Sequence, residues 1–123
     1  MGRIAVILMD KFEEQDYLQP TEFLRDQGYE LIHIGLKEGL TVTGRQRGTQ
    51  VKIDTAVGDV SPEAFDALLI PRGYTFNTVK AAKDIVELVK DFLESGKPVW
   101  RTDSRFRPGG QRDTRLGAGM GKN

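Results

Sequence analysis

Residues 3–9 read RIAVILM, six apolar side chains in unbroken succession after Arg3. A strand with one wet face alternates apolar and polar residues. An uninterrupted run of this length, rich in β-branched residues, fits a strand covered on both faces, as in a parallel sheet. Residues 67–71, ALLIP, repeat the pattern. Residues 30–35, ELIHIG, give another strand, and KPVW at 97–100 begins a fourth.

The segments between these strands decide how they are joined. A polar loop, DKFEEQD, follows the first, and a helix is predicted from about Asp16 to Gln27 with Gly28 as its stop. Pro20 is expected in its first turn, where a missing N–H costs little. Leu18, Thr21, Phe23 and Leu24 form its inward side. In residues 36–54, Gly39, Gly44 and Gly48 punctuate short β-branched stretches and predict a hairpin or small ribbon. Ser61 and Pro62 read as the N-cap and first residue of a single turn. Residues 84–94 form the clearest helix: Ile85, Leu88, Val89, Phe92 and Leu93 make one apolar stripe, and Gly96 caps it. Strands and helices thus alternate, which predicts an α/β fold: an open parallel sheet with helices on both faces.

The chain has 123 residues, enough for one domain, with an ordinary apolar fraction of 38%. No apolar run is long enough to span a membrane, and the short start IAVILM is no signal peptide. A cytoplasmic location is expected. Cysteine is absent, which excludes disulfides, thiolate metal sites and a cysteine nucleophile. The net charge of zero conceals an asymmetry: residues 1–100 hold 12 basic and 16 acidic side chains, residues 101–123 hold 6 and 2. That tail also has five glycines and no helical or strand period, so no fixed element is expected in it.

Ligands of open parallel sheets bind outside the carboxyl ends of the strands. Three loops therefore matter. The first offers Asp10, Glu13, Glu14 and Asp16. A carboxylate here would orient or deprotonate a group on a neighbouring loop. The alternative is a solvated acidic turn that favours the dipole of the following helix. In the second loop, the N–H at Gly73 would serve as an oxyanion donor, unless Gly73 is an ordinary turn glycine. The third reads RTDS. His33, the only histidine, lies inside a strand between two isoleucines and reads as a core residue rather than a base. No zinc ligand set, Walker loop or dinucleotide fingerprint is present. Arg101, Arg105, Arg107, Arg112 and Arg115 would suit nucleic acid, but Phe106 is the only aromatic among them, so nucleic-acid binding through the tail is the weaker alternative to a non-functional tail.

The stretches RIAVILMDKFEEQDYLQPTEFLRDQGYEL, VTGRQRGTQVKID, SPEAFDALLIPRGY and GKPVW, in this order, resemble the ThiJ/PfpI superfamily. The nearest branch is that of PfpI-type intracellular proteases and general stress proteins. The resemblance implies a flavodoxin-like fold related to class I glutamine amidotransferases, and assembly as a homo-oligomer. It implies cysteine peptidase, glyoxalase or protein deglycase activity on a peptide or small carbonyl compound, stress protection, and no cofactor or metal. It also implies site positions. Asp16 matches the acid that contacts the nucleophile, where the family usually has Glu. Glu13 matches a second acid of the motif, and Gly73 the second glycine of the oxyanion turn.

Departures from the family pattern shape the functional expectation. Arg72 replaces the first turn glycine, and Asn77 stands where an acid is common. The Cys-His-Gly elbow expected after KPVW is replaced by RTDSRF, in which Ser104 has no base beside it. Residues 1–100 are thus expected to be a partial family domain whose C-terminal part is missing, through a frameshift or truncation, and residues 101–123 a non-native tail. The chain is expected to be catalytically inactive, with lost sheet cover leaving it marginal and prone to self-association. The alternative role is that of a non-catalytic partner of itself or of a full-length family member.

Overall fold

The computed structural model describes residues 2–71 and 79–102. Strands β1 (Arg3–Ile7), β2 (Glu30–Gly35), β5 (Thr55–Ala56), β6 (Ala67–Pro71) and β7 (Val99–Thr102) form one sheet in the order β5-β2-β1-β6-β7. Every pairing in it is parallel. Strands β3 (Thr41–Thr43) and β4 (Gln50–Lys52) pair antiparallel as the predicted ribbon.

The apolar runs are continuous because two cores share each strand. Ile4, Val6 and Leu8 point to one face with Ala67 and Leu69, and meet Tyr17 and Leu24 of helix α1 (Glu14–Asp26). Ala5, Ile7 and Met9 point to the other with Leu68 and Val99, and meet Ile85, Leu88 and Phe92 of helix α2 (Val79–Glu94). The predicted helix cover on both faces is therefore present.

Both helices end as their glycines predict. Gly28 and Gly96 take φ of 94° and 82°. Their N–H groups bond the carbonyls of Arg25 and Leu93, and the next residues reach back to Leu24 and Phe92. This is a Schellman closure, for which glycine has no steric penalty. The helix starts differ from expectation. Helix α1 begins at Glu14, so Pro20 lies inside the helix and not in its first turn. Thr21 Oγ1 donates to the Tyr17 carbonyl at 2.6 Å just beside it. Helix α2 begins at Val79, five residues before the predicted start at residue 84. Ser61 makes no side-chain cap, and the turn at Pro62–Ala64 is 3-10.

His33 is a buried residue of β2, as its sequence setting suggests. It lies on the α1 face, with Nε2 2.8 Å from the Tyr17 hydroxyl and Nδ1 3.5 Å from Asp54 Oδ2. The Asp54 carboxylate also accepts the His33 N–H at 2.8 Å. A neutral ring with its proton on Nδ1 suits both neighbours. Burial holds the imidazole below its ordinary pKa of 6.5; Asp54 opposes this and Arg25 adds to it. Burial likewise raises the Tyr17 phenol above its ordinary value, with Arg25 opposing, so it remains a donor.

Two outcomes are expected. Leu68 is fully buried between β1 and β7, so Leu68→Ala should cost about 2–5 kcal/mol in urea unfolding, a large share of the roughly 5–15 kcal/mol available to a domain. The depressed His33 pKa means that the unfolded chain takes up a proton first, so its contribution is complete above pH 6.5 and is lost as pH falls through the lower folded value. Thermal midpoints measured downward from neutral pH should show this decline, and His33→Gln should remove it.

Candidate functional site

The sheet order reverses direction after β1: the chain first builds outward through β2 and β5, then returns to the other side of β1 with β6 and β7. Crevices open at the carboxyl ends of strands where such a reversal occurs. Here the carboxyl end of β1 leads through residues 8–13 into α1.

Lys11 turns this loop with φ of 67°, uncommon outside glycine. Its N–H is held by the Thr43 carbonyl at 2.7 Å. Next to it Phe12 enters the α1-side core, fully buried. The loop is bound to the ribbon residue by residue. Asp10 Oδ1 accepts the Thr43 N–H at 2.9 Å, and the Phe12 carbonyl accepts the Arg45 N–H at 2.9 Å. Glu13 Oε2 pairs with Arg45 at 3.2 Å.

Glu14 overturns the reading of a solvated acidic turn. Only 1% of it is exposed. Its Oε1 accepts the Gln46 N–H at 2.8 Å, and its Oε2 accepts those of Arg47 at 2.8 Å and Thr49 at 3.2 Å. Burial pushes this carboxyl up, but the backbone donors outweigh burial and hold it below its ordinary value. Gly44 passes so close that a Cβ built there would overlap the Glu14 carboxylate.

A cleft of about 470 Å3 opens beside this clamp, lined by Glu13, Glu14, Gln15, Asp16, Leu18, Gln46 and Arg47. The two acids singled out by resemblance, Glu13 and Asp16, therefore share one cleft. Asp16 is 6% exposed, in the first turn of α1. Gly73, Arg72, Asn77 and Ser104 lie outside the described residues. His33 is not among the residues lining the cleft. No cluster of metal-ligating side chains occurs among the described residues. None of their helices is long and apolar enough to cross a membrane.

Sequence reasoning missed the separate role of Glu14 and the contribution of Gln46 and Arg47. The available signal was the spacing of Gly44 and Gly48 around RQR, which marks a tight loop whose N–H groups need acceptors.

Comparison with known proteins bears on this arrangement. The chain is 37% identical over 98 residues to protein/nucleic acid deglycase 2 of Escherichia coli K12, a match covering 80% of this chain and 57% of that protein. It is 38% identical over 101 residues to general stress protein 18 of Bacillus subtilis, covering 81% and 59%. A solved DJ-1 superfamily protein from Agrobacterium tumefaciens superposes with a TM-score of 0.70 at 30% identity, over 82% of this chain and 53% of that one. The chain thus spans about half the length of the relatives it matches. The model of the DJ-1/PfpI family matches residues 2–101, from just before β1 into β7, and the chain belongs to that family.

Proposed function

We propose that this chain retains the acid side of a DJ-1/PfpI site without its thiol and does not carry out the family's thiolate chemistry. The observation that carries this reading is the absence of cysteine from all 123 positions, while Glu13 and Asp16 line a cleft at the end of β1. In the family mechanism a thiolate adds to a carbonyl carbon, an acid from the first loop steadies the thiol, and backbone donors at a glycine turn take the oxyanion. Asp16, Glu13 and Gly73 are the matching positions here. Without the sulfur no covalent adduct forms, and the acids have no nucleophile to assist. Ser104 follows Asp103 in an arginine-rich stretch, with no histidine beside it in sequence.

A second reading concerns partners. β7 is paired with β6 on one side, and among the described residues no strand pairs with its other side. Such an edge accepts another strand. We infer association of this chain with a second copy or with a full-length family member.

Purified protein is expected to consume methylglyoxal no faster than buffer, with the Escherichia coli deglycase as positive control. Turnover abolished by Asp16→Ala would overturn the inactive reading. Light scattering, alone and mixed with that relative, is expected to report a mass above the monomer. A monomer under both conditions would remove the partner reading.

A further inference from the structure

The arrangement around Glu14 has the form of a receptor and its ligand. Three N–H groups from a six-residue loop, those of Gln46, Arg47 and Thr49, converge on one carboxylate. Successive backbone donors that converge in this way form an anion-binding concavity, or nest, and such nests are familiar as phosphate and carboxylate sites. Arg45 and Arg47 belong to the same loop and add positive charge to it. The group filling the nest comes from the first residue of α1. It is itself nearly inaccessible, at 1% exposure, and its three bonds are partly buried.

We propose that residues 44–49 form an anion receptor whose resident ligand is the Glu14 carboxylate of the same chain, and that its occupancy sets the cleft. The coupling is direct. The loop carries Gln46 and Arg47, the first turn of α1 carries Asp16, and Glu13 precedes that turn as its N-cap; all four line the cleft. Glu14 belongs to that turn and holds that loop. It is therefore a positioning residue as well as part of the cleft lining: it ties the loop that bears Gln46 and Arg47 to the start of α1.

Other ties limit the effect of its removal. The Lys11 N–H to Thr43, the Arg45 N–H to Phe12 and the Thr43 N–H to Asp10 join the same two segments without it. Removing the carboxylate should therefore leave the ribbon attached and the nest vacant. The ligand class is set by the donors. Three N–H groups in a tight buried space fit a small planar monoanion, and formate reproduces the Glu14 headgroup without its chain. The inference concerns the shape of the cleft and holds whether or not the site is catalytically silent.

The test is chemical rescue of Glu14→Ala, read from the backbone amide resonances of Gln46, Arg47 and Thr49. In the variant these three are expected to shift upfield from their wild-type positions. Sodium formate should move them back along a saturable curve and raise the thermal midpoint with the same dependence. Sodium chloride at equal concentration should do neither, and formate should leave the wild-type resonances in place. Gly44→Ala supplies an independent arm, because its Cβ displaces the carboxylate while Glu14 remains. It should shift the same three resonances, and formate should not restore them because the Cβ occupies the space. Wild-type amide positions in Glu14→Ala without formate would show that the carboxylate does not hold the loop. Identical responses to formate and chloride would show that there is no receptor. Should Glu14→Ala fail to fold, unshifted amides in Gly44→Ala would equally overturn the proposal.

Discussion

From Ile4 to Met9, no side chain is more than 4% exposed, although successive residues point to opposite faces of the sheet. That is possible only if both faces are covered over the whole length of β1. The covering dictates the path of the chain. One helix must lie on each side, so the connections must leave β1 in opposite senses, and the strand order must reverse beside it. The reversal leaves a crevice at the carboxyl end of β1. The cleft is thus a consequence of burying an apolar strand twice, and it exists before any chemistry is assigned to it.

The occupant of the crevice is set by a local need of the backbone. The loop leaving β1 and the ribbon between β3 and β4 run side by side and satisfy one another's polar groups. Two of these bonds join backbone to backbone, Lys11 to Thr43 and Arg45 to Phe12, and the others end on the carboxylates of Asp10 and Glu14. The tight loop at residues 44–49 leaves three N–H groups that no strand accepts, and Glu14 takes them. A neutral side chain would offer these donors less. The ionised form is favoured because its bonds to the donors outweigh the cost of burying it. The same ionisation puts a fixed negative charge beside Glu13 and Asp16.

The sheet was legible in the sequence because it depends on unbroken apolar runs. Glu30–Gly35 and Ala67–Pro71 are strands over the residues expected of them. The helix starts were less legible for identifiable reasons. Pro20 suggested a late start for α1, yet the helix carries it inside, beside Thr21. The apolar stripe of α2 begins later than the backbone helix, so the stripe alone does not mark the helix start. At the site, Glu13 and Asp16 were singled out through family likeness, and the structure places both in the lining of one cleft. Glu14 was unreadable as a clamp. Its partners are backbone atoms more than thirty positions away, and no residue type announces a backbone donor.

The acids of the first loop therefore answer to two separate demands. Glu14 serves the fold: it neutralises backbone donors, and that need persists whether or not a nucleophile faces the cleft. Glu13 and Asp16 line a cleft that holds no thiol, so nothing in the chemistry of sulfur keeps them in place here. Arg45 already engages Glu13, so that acid has an electrostatic partner within the fold. Asp16 is buried in the first turn of α1, where negative charge is favoured by the helix dipole. Each acid thus has a physical reason to remain that does not invoke catalysis. The cleft is what the fold produces, and its acids are held without a cysteine, of which the sequence has none.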